Sequence, residues 1–264
     1  KRSDQKVIIL NKGPKNLGFN ICKDCGAAVT GDEMLGKKIK RPFNSTRSNR
    51  SCSHNDIEQN VVLGHSFITD MFVIEITIDK EKINCKPDGL WIKSAALTLS
   101  QAMILAAGKI LDIDYNEIKS GYRLRYSDKI TFVDIFLFDS LSSGAGYSSE
   151  LASRLKELVE ETRKMLEGCN CDSACHQCLN NFWNQRVQKN LNRFLAIQLL
   201  DYASNDILSK SFSFEDQCRI FKPLKELLEI DGYKEVEYID KTIIVKSLDK
   251  QKNICVYPEM WNID

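Results

Sequence analysis

The chain has 264 residues, of which 43% are hydrophobic and 9% aromatic, enough apolar mass to bury a sizeable core and too much for a disordered tail. Ten cysteines without a secretory signal point to reduced thiols in the cytoplasm, several of them on metal, and away from a disulfide framework. The net charge of +1 hides an uneven distribution: residues 1–50 carry twelve Lys and Arg against four Asp and Glu, the remainder 25 against 32. One end of the chain is therefore suited to a polyanion.

The first strand-like run is Lys6–Leu10, followed by turn residues Asn11-Lys12-Gly13-Pro14 and then by Gly18-Phe19-Asn20-Ile21 and the pair Cys22 and Cys25. Residues 31–60 are polar, basic and rich in Ser and Asn, and read as a loop pinned by something other than a core. Met71–Ile78 reads as a strand and residues 79–90 as a polar connection. Thr98-Leu99-Ser100-Gln101 has the form of a capping box and predicts a buried helix from there to Leu111. Tyr122–Tyr126 and Thr131–Phe138 read as consecutive strands around Ser127-Asp128-Lys129. A small-residue turn, Ser142–Tyr147, opens a second helix with Leu151, Leu155, Leu158, Thr162 and Met165 on one face. Gly168 is placed as its left-handed cap. A third helix is expected from Leu179 to Tyr202, then an amphipathic helix Ile220–Ile230 and strands Thr242–Lys246 and Ile254–Tyr257.

This irregular mixture makes the class α+β, a zinc-stabilised mixed fold with a four-cysteine site at a helix–helix junction. The expected divisions are a basic zinc-knuckle region over 1–60, a core over 61–209 and a helix-and-strand extension over 210–264. No apolar run approaches the roughly 18–20 residues that cross a bilayer. The chain opens on Lys1, which reads as a fragment or a processed product.

Cys169, Cys171, Cys175 and Cys178 place four thiols within ten residues. Four thiolates match the tetrahedral preference of zinc and close the coordination sphere, the structural kind of site. An iron–sulfur cluster is the competing reading of the same donors. Cys22 and Cys25, followed by Gly26, form half of a zinc knuckle, for which Cys52 and His54 are the nearest completing ligands, with Cys85 in reserve. His176 reads as a bystander, and Cys218 and Cys255 as buried thiols. Lys37, Lys38, Lys40, Arg41, Arg47 and Arg50 in the basic loop are candidates for phosphate contacts. Arg186, Lys189 and Arg193 recur at helical spacing and lean toward a solvated outer face. No phosphate-binding loop of the Gly-x-x-x-x-Gly-Lys-Ser/Thr form is present. His65 and Asp70, with Asp139 in support, are the residues a metal-dependent nuclease would use.

These motifs in this order resemble the zinc-binding (MZB) domain of MrfA-type DNA-repair helicases, found also in DrmB of DISARM anti-phage systems. The resemblance covers roughly residues 7–203. It rests on Asn11-Lys12-Gly13 with Gly18-Phe19, Cys22-x-x-Cys25-Gly26, Leu63-Gly64-His65-x-Phe67-x-Thr69-Asp70 and Leu111-Asp112-Ile113. It continues through Phe138-Asp139, Gly144-Ala145-Gly146-Tyr147, Cys178-Leu179 and Asn184-Gln185. The chain departs from the family at Ser143, Lys189, Asn192 and Lys40. The resemblance implies a zinc-binding, DNA-binding accessory module without catalysis of its own. Its expected partners are DNA and an ATP-dependent superfamily 2 helicase, in phage defence or DNA repair and with no membrane. The rival readings are the nuclease just described and a purely structural adaptor between proteins.

Overall fold

A computed structural model describes residues 2–33, 44–47, 50–87, 89–233, 235–247 and 251–263. In chain order the strands and helices begin with β1 (Arg2–Asn11), β2 (Phe19–Cys22), β3 (Ala28–Thr30), β4 (Ile57–Val61), β5 (Leu63–Asp79) and α1 (Leu90–Leu111). There follow β6 (Ile118–Tyr126), β7 (Ile130–Asp139), α2 (Tyr147–Ser153), α3 (Leu155–Glu167) and α4 (Arg193–Asn205). The chain closes with α5 (Phe214–Ile230), β8 (Glu235–Ile239), β9 (Thr242–Lys246) and β10 (Gln251–Ile254). The class is α+β, and the chain divides into two compact units.

The larger unit comprises Lys1–Arg2, Met71–Ser140 and Ala145–Asp264. Within it β7 pairs antiparallel with β5 on one side and β6 on the other, in register from Met71 opposite Phe138 to Asp79 opposite Ile130. Alternation along β7 sends Val133, Ile135 and Leu137 into the core. Helix α1 is apolar on nearly all sides, and such a helix must be covered all round. Trp91, Ile92, Ala95, Ala96, Leu99, Ala102, Ala106 and Ala107 are all fully buried, and the alanines let α3 and α4 approach its backbone. By length and hydropathy α1 alone among the described helices could cross a membrane, but most of it is core.

The helix begins at Leu90, eight residues before the expected capping box. Thr98 is interior: its hydroxyl donates to the Ser94 carbonyl and accepts the Asn192 N–H. The expected second helix is broken at Arg154 (φ −108°). Its inward residues are Leu151, Leu158, Thr162 and Leu166, while Leu155 is 40% exposed. Gly168 has an ordinary φ of −74°; the left-handed caps are Asp112 and Asp206, after α1 and α4. The expected helix over 179–202 is two short 3-10 turns, Phe182–Asn184 and Gln188–Asn190, followed by α4. Asn181 and Asn192 cause the break, each accepting two backbone N–H bonds. Short amide side chains compete with helical hydrogen bonding in this way.

On the sheet, Asp134 is 1% exposed and accepts hydrogen bonds from Arg123 (2.7 Å) and Arg125 (2.8 Å). The Arg125 guanidinium, opposed by burial and helped by Arg123, holds the Asp134 carboxyl below its ordinary range. A carboxyl depressed in the folded state stabilises above its unfolded pKa, and that stability is lost as pH falls. Asp134→Asn is expected to cost about 1–2 kcal/mol at pH 7, the exposed arginines limiting the figure. It should also flatten the decline in stability below about pH 4. Urea midpoints measured against pH check both effects.

The end of the chain forms the antiparallel sheet β8-β9-β10, with Phe221 of α5 packed on Ile243 and Val245. Helix α5 starts at Phe214, capped by Ser213, and β10 ends at Ile254. Met260 then returns to the main core, and the Glu259 carboxylate accepts the Trp91 N–H.

The smaller unit comprises Ser3–Asp70 and Leu141–Gly144. Its sheet has β2 at the centre, antiparallel to β3 and β4. Strand β1 spans more than the predicted Lys6–Leu10 and lies beside β5. Strand β5 begins at Leu63, so His65 and Asp70 sit within a strand, not before one.

Candidate metal centres

The end of α3 delivers Cys169 into a loop that returns through Cys171, Cys175 and Cys178. The sulfur atoms of these four residues converge within 4.8 Å of one another. Cys169 lies 3.6 Å from Cys175, and Cys178 lies 3.7 Å from Cys171 and 3.8 Å from Cys175. Four sulfurs held about 2.3 Å from a tetrahedral zinc stand about 3.8 Å apart, so the spacing fits one zinc ion. Sulfurs this close leave no room for a multi-iron cluster. The Cys171 backbone N–H and the neighbouring thiols lower Cys169 to about 7, while burial pushes Cys178 up to about 12. Metal binding would therefore release the protons that these thiols carry.

Arg193 anchors this loop. It is 7% exposed, and its guanidinium donates to the Cys171 carbonyl (3.0 Å) and the Leu166 carbonyl (3.1 Å). Its backbone N–H donates to the Ser173 carbonyl. The solvated outer face expected for Arg193 is thus corrected: this charge faces inward, tying α4 to the metal loop. Arg186 and Lys189 are exposed as expected. The position of Arg193, directly after the Asn192 cap at the start of an apolar helix, is the feature that distinguishes it from Arg186 and Lys189.

The second centre lies in the smaller unit. Cys22, at the end of β2, and Cys25 converge with Cys52 and His54, again within 4.8 Å. Cys22 is 3.7 Å from Cys52, and the His54 Nδ1 is 3.3 Å from the Cys25 sulfur. Gly26, at φ +75°, turns the chain under the site, its N–H donating to the Cys22 carbonyl. His54 itself is left-handed (φ 54°), a conformation that a non-glycine residue holds only when its surroundings fix it. Burial raises the Cys22 thiol, but hydrogen bonds from His54 and the backbone of Cys25 and Asp24 prevail and bring it to about 6. Both clusters fit zinc. Cys85 joins neither; it is buried in the larger core, which pushes its thiol up to about 11. Cys218 is half-buried, and Cys255 is exposed, contrary to the buried thiol expected there.

His54→Ala is expected to leave three thiols and weaken the second zinc by at least about 100-fold, since loss of a mere ligand-supporting partner costs 10–100-fold. The first centre should be unaffected. Titration with a metallochromic chelator resolves the two classes.

Of the proposed phosphate contacts, Lys37, Lys38, Lys40 and Arg41 lie outside the described residues. Arg47 and Arg50 are exposed, on the turn that closes through the Asn44–Ser51 bridge before Cys52. His65 is exposed and stacks on Phe67 at 5.6 Å. Five residues along one strand direct it and Asp70 to opposite faces. Among the described residues, the groups of three or more donors able to share an ion are the two cysteine clusters, and neither includes His65 or Asp70. Asp139 is fully buried and accepts hydrogen bonds from the Ala145, Tyr147 and Ser148 N–H groups. It clamps the loop before α2. His176 is exposed beside the first centre.

Residues 99–179 match the family profile described as the MrfA Zn-binding domain. Over 245 residues, 87% of the chain, the sequence is 34% identical to the Druantia protein DruE of Escherichia coli (strain UMEA 4076-1), of which it spans 13%. The crystal structure of the DUF1998 helicase MrfA bound to DNA is similar over 62% of this chain and 20% of that one, at 16% identity and a TM-score of 0.43. The same helicase bound to DNA and AMPPNP aligns over 60% and 18%, at 14% identity and 0.35. All four thiols of the first centre lie at the end of the segment that matches the MrfA Zn-binding domain profile.

Proposed function

We propose that this chain is a zinc-clamped accessory module that binds DNA and works with an ATP-dependent superfamily 2 helicase in the cytoplasm. The observation that carries this reading is the MrfA Zn-binding domain match enclosing a complete four-thiol centre. The similarity to a Druantia protein favours anti-phage defence over repair as the setting. Each centre supplies four protein donors and leaves no open metal position, so the metals serve as scaffold and not as reactive centres. DNA affinity is assigned to the basic N-terminal portion, where Arg47 and Arg50 stand exposed beside the second centre.

Labelled single- and double-stranded DNA should bind in a salt-dependent way. Charge reversal at Lys37, Lys38, Lys40 and Arg41 should weaken binding and reduce the slope against log salt. Absence of salt-dependent binding, alone or with a helicase, would remove the DNA claim.

A further inference from the structure

Two aromatic side chains beside the first centre stand out for their exposure. Phe182 is 73% and Trp183 63% exposed, the highest values for any described aromatic residue. Their rings meet edge to face at 5.3 Å. Leaving two large rings in water forgoes a substantial burial energy, and nothing about their support is loose. The Asn181 side chain accepts the Trp183 and Asn184 N–H groups, and the Asn184 side chain accepts the Asn181 N–H. Asn184 is itself buried and donates to the Leu179 carbonyl (2.8 Å) and to Gln101 (3.4 Å). Gln188 closes the network on the Asn181 carbonyl and on Asn184. The rings are thus presented on a short turn fastened directly to the end of the metal loop.

The surroundings combine cations, amides and a further aromatic ring. Lys119 Nζ lies over the Trp183 ring, 5.4 Å from its centroid, and Arg186 is exposed three residues further on. Trp183, Tyr115, Lys119, Gln101 and Asn181 line a hollow of about 120 Å³. An adjoining hollow of about 450 Å³ shares Tyr115 and Asn181. It adds Asn180, whose Oδ1 is buried without a hydrogen-bond partner among the described residues. No acidic residue lines either hollow. Aromatic faces, amide groups and cations without carboxylates are what single-stranded nucleic acid requires: rings to stack bases, amides for base edges, cations for phosphates. Thiolates on a metal at Cys169 and Cys178, which border the larger hollow, repel phosphate. Lys119 over the Trp183 ring, with Lys109 and Lys164 at the larger hollow, offers cations for phosphates, and Asn180 and Asn181 offer amides for a neutral base.

We infer that Phe182 and Trp183 form a base-stacking platform for single-stranded DNA, with Lys119 and Arg186 contacting the phosphates. This deepens the DNA-binding reading above and rests on it, but it assigns a surface on the larger unit, apart from the basic N-terminal portion.

The test uses the full 264-residue chain and a labelled thymidine oligonucleotide, with zinc content and circular dichroism confirming that each variant is folded. Trp183→Ala should weaken single-strand binding about tenfold, equivalent to about 1.4 kcal/mol, and duplex binding by much less. Lys119→Glu should lower the dependence on salt. Trp183→Phe should retain most of the affinity yet lose the quenching of tryptophan fluorescence by the oligonucleotide. Wild-type binding with Trp183→Ala unchanged would overturn the platform and leave the DNA reading standing. Failure of the wild type to bind any DNA would overturn both. Loss of helicase association in Trp183→Ala with DNA affinity intact would make the surface a protein contact and equally overturn the proposal.

Discussion

Cys175→Ser is expected to abolish one zinc site and to collapse the junction of α3 and α4. Structural zinc contributes on the order of 10 kcal/mol in small closed sites, comparable with the whole net stability of an ordinary domain, about 5–15 kcal/mol. Apart from the metal, the loop between Cys169 and Asn181 is held by Arg193 and by few apolar contacts, Leu179 being its fully buried residue. The Arg193 hydrogen bonds to Cys171 and Leu166 persist only while that loop keeps its shape. Without one thiolate the buried guanidinium loses partners, and the cost of an unpaired buried charge adds to that of the metal. A loss of about 5 kcal/mol or more corresponds to a fall of roughly 10–20 °C in the melting midpoint. Thermal melts followed by circular dichroism check this, and a strong chelator should reproduce the shift in the wild type. An unchanged midpoint would mean that the thiols are passengers.

Asp139→Ala is expected to destabilise the chain strongly although it lies outside both metal ligand sets. The carboxylate accepts three backbone N–H bonds, from Ala145 (2.7 Å), Tyr147 (3.1 Å) and Ser148 (2.8 Å), and is fully buried. Hydrogen bonds to a charged group contribute about 1.5–3 kcal/mol each, and donors left buried without an acceptor are costly. Allowing for relaxation of the loop, about 3–5 kcal/mol should be lost. Asp139→Asn keeps the volume but turns an NH₂ group toward N–H donors, so it should fall between the two. Urea midpoints ordered Asp, Asn, Ala would establish the clamp, whereas an Asn variant as stable as the wild type would dismiss it.

Both candidate ligand sets were legible in the sequence because their donors are chemically distinctive and arrive in short, ordered groups. Cys22, Cys25, Cys52 and His54 required only that a long loop close, and the Asn44–Ser51 bridge and the contacts of Thr46 with Asp24 close it. The β6–β7 hairpin was equally plain, its strands alternating around a polar turn. Helix boundaries were not. The start of α1 carries no side-chain cap, while Thr98 and Gln101 mimic one inside the helix. Leucine spacing from Leu191 to Leu199 suited a helix reaching back to Leu179, but Asn181 and Asn192 spend their side chains on the backbone and divide it. Arg193 was misread because charge on a helix ordinarily faces water, and only the carbonyls of Leu166 and Cys171, brought there by the metal loop, make its burial favourable. The same local break exposes Phe182 and Trp183, which a continuous helix would have distributed along its surface.

Zinc stoichiometry in the purified chain tests the central claim most directly. Metal analysis should give two zinc ions per chain and no iron, falling to one with Cys175→Ser or Cys25→Ser and to none with both. Fewer than one zinc per chain, or a zinc content indifferent to these substitutions, would contradict the account of a module built on two closed metal centres.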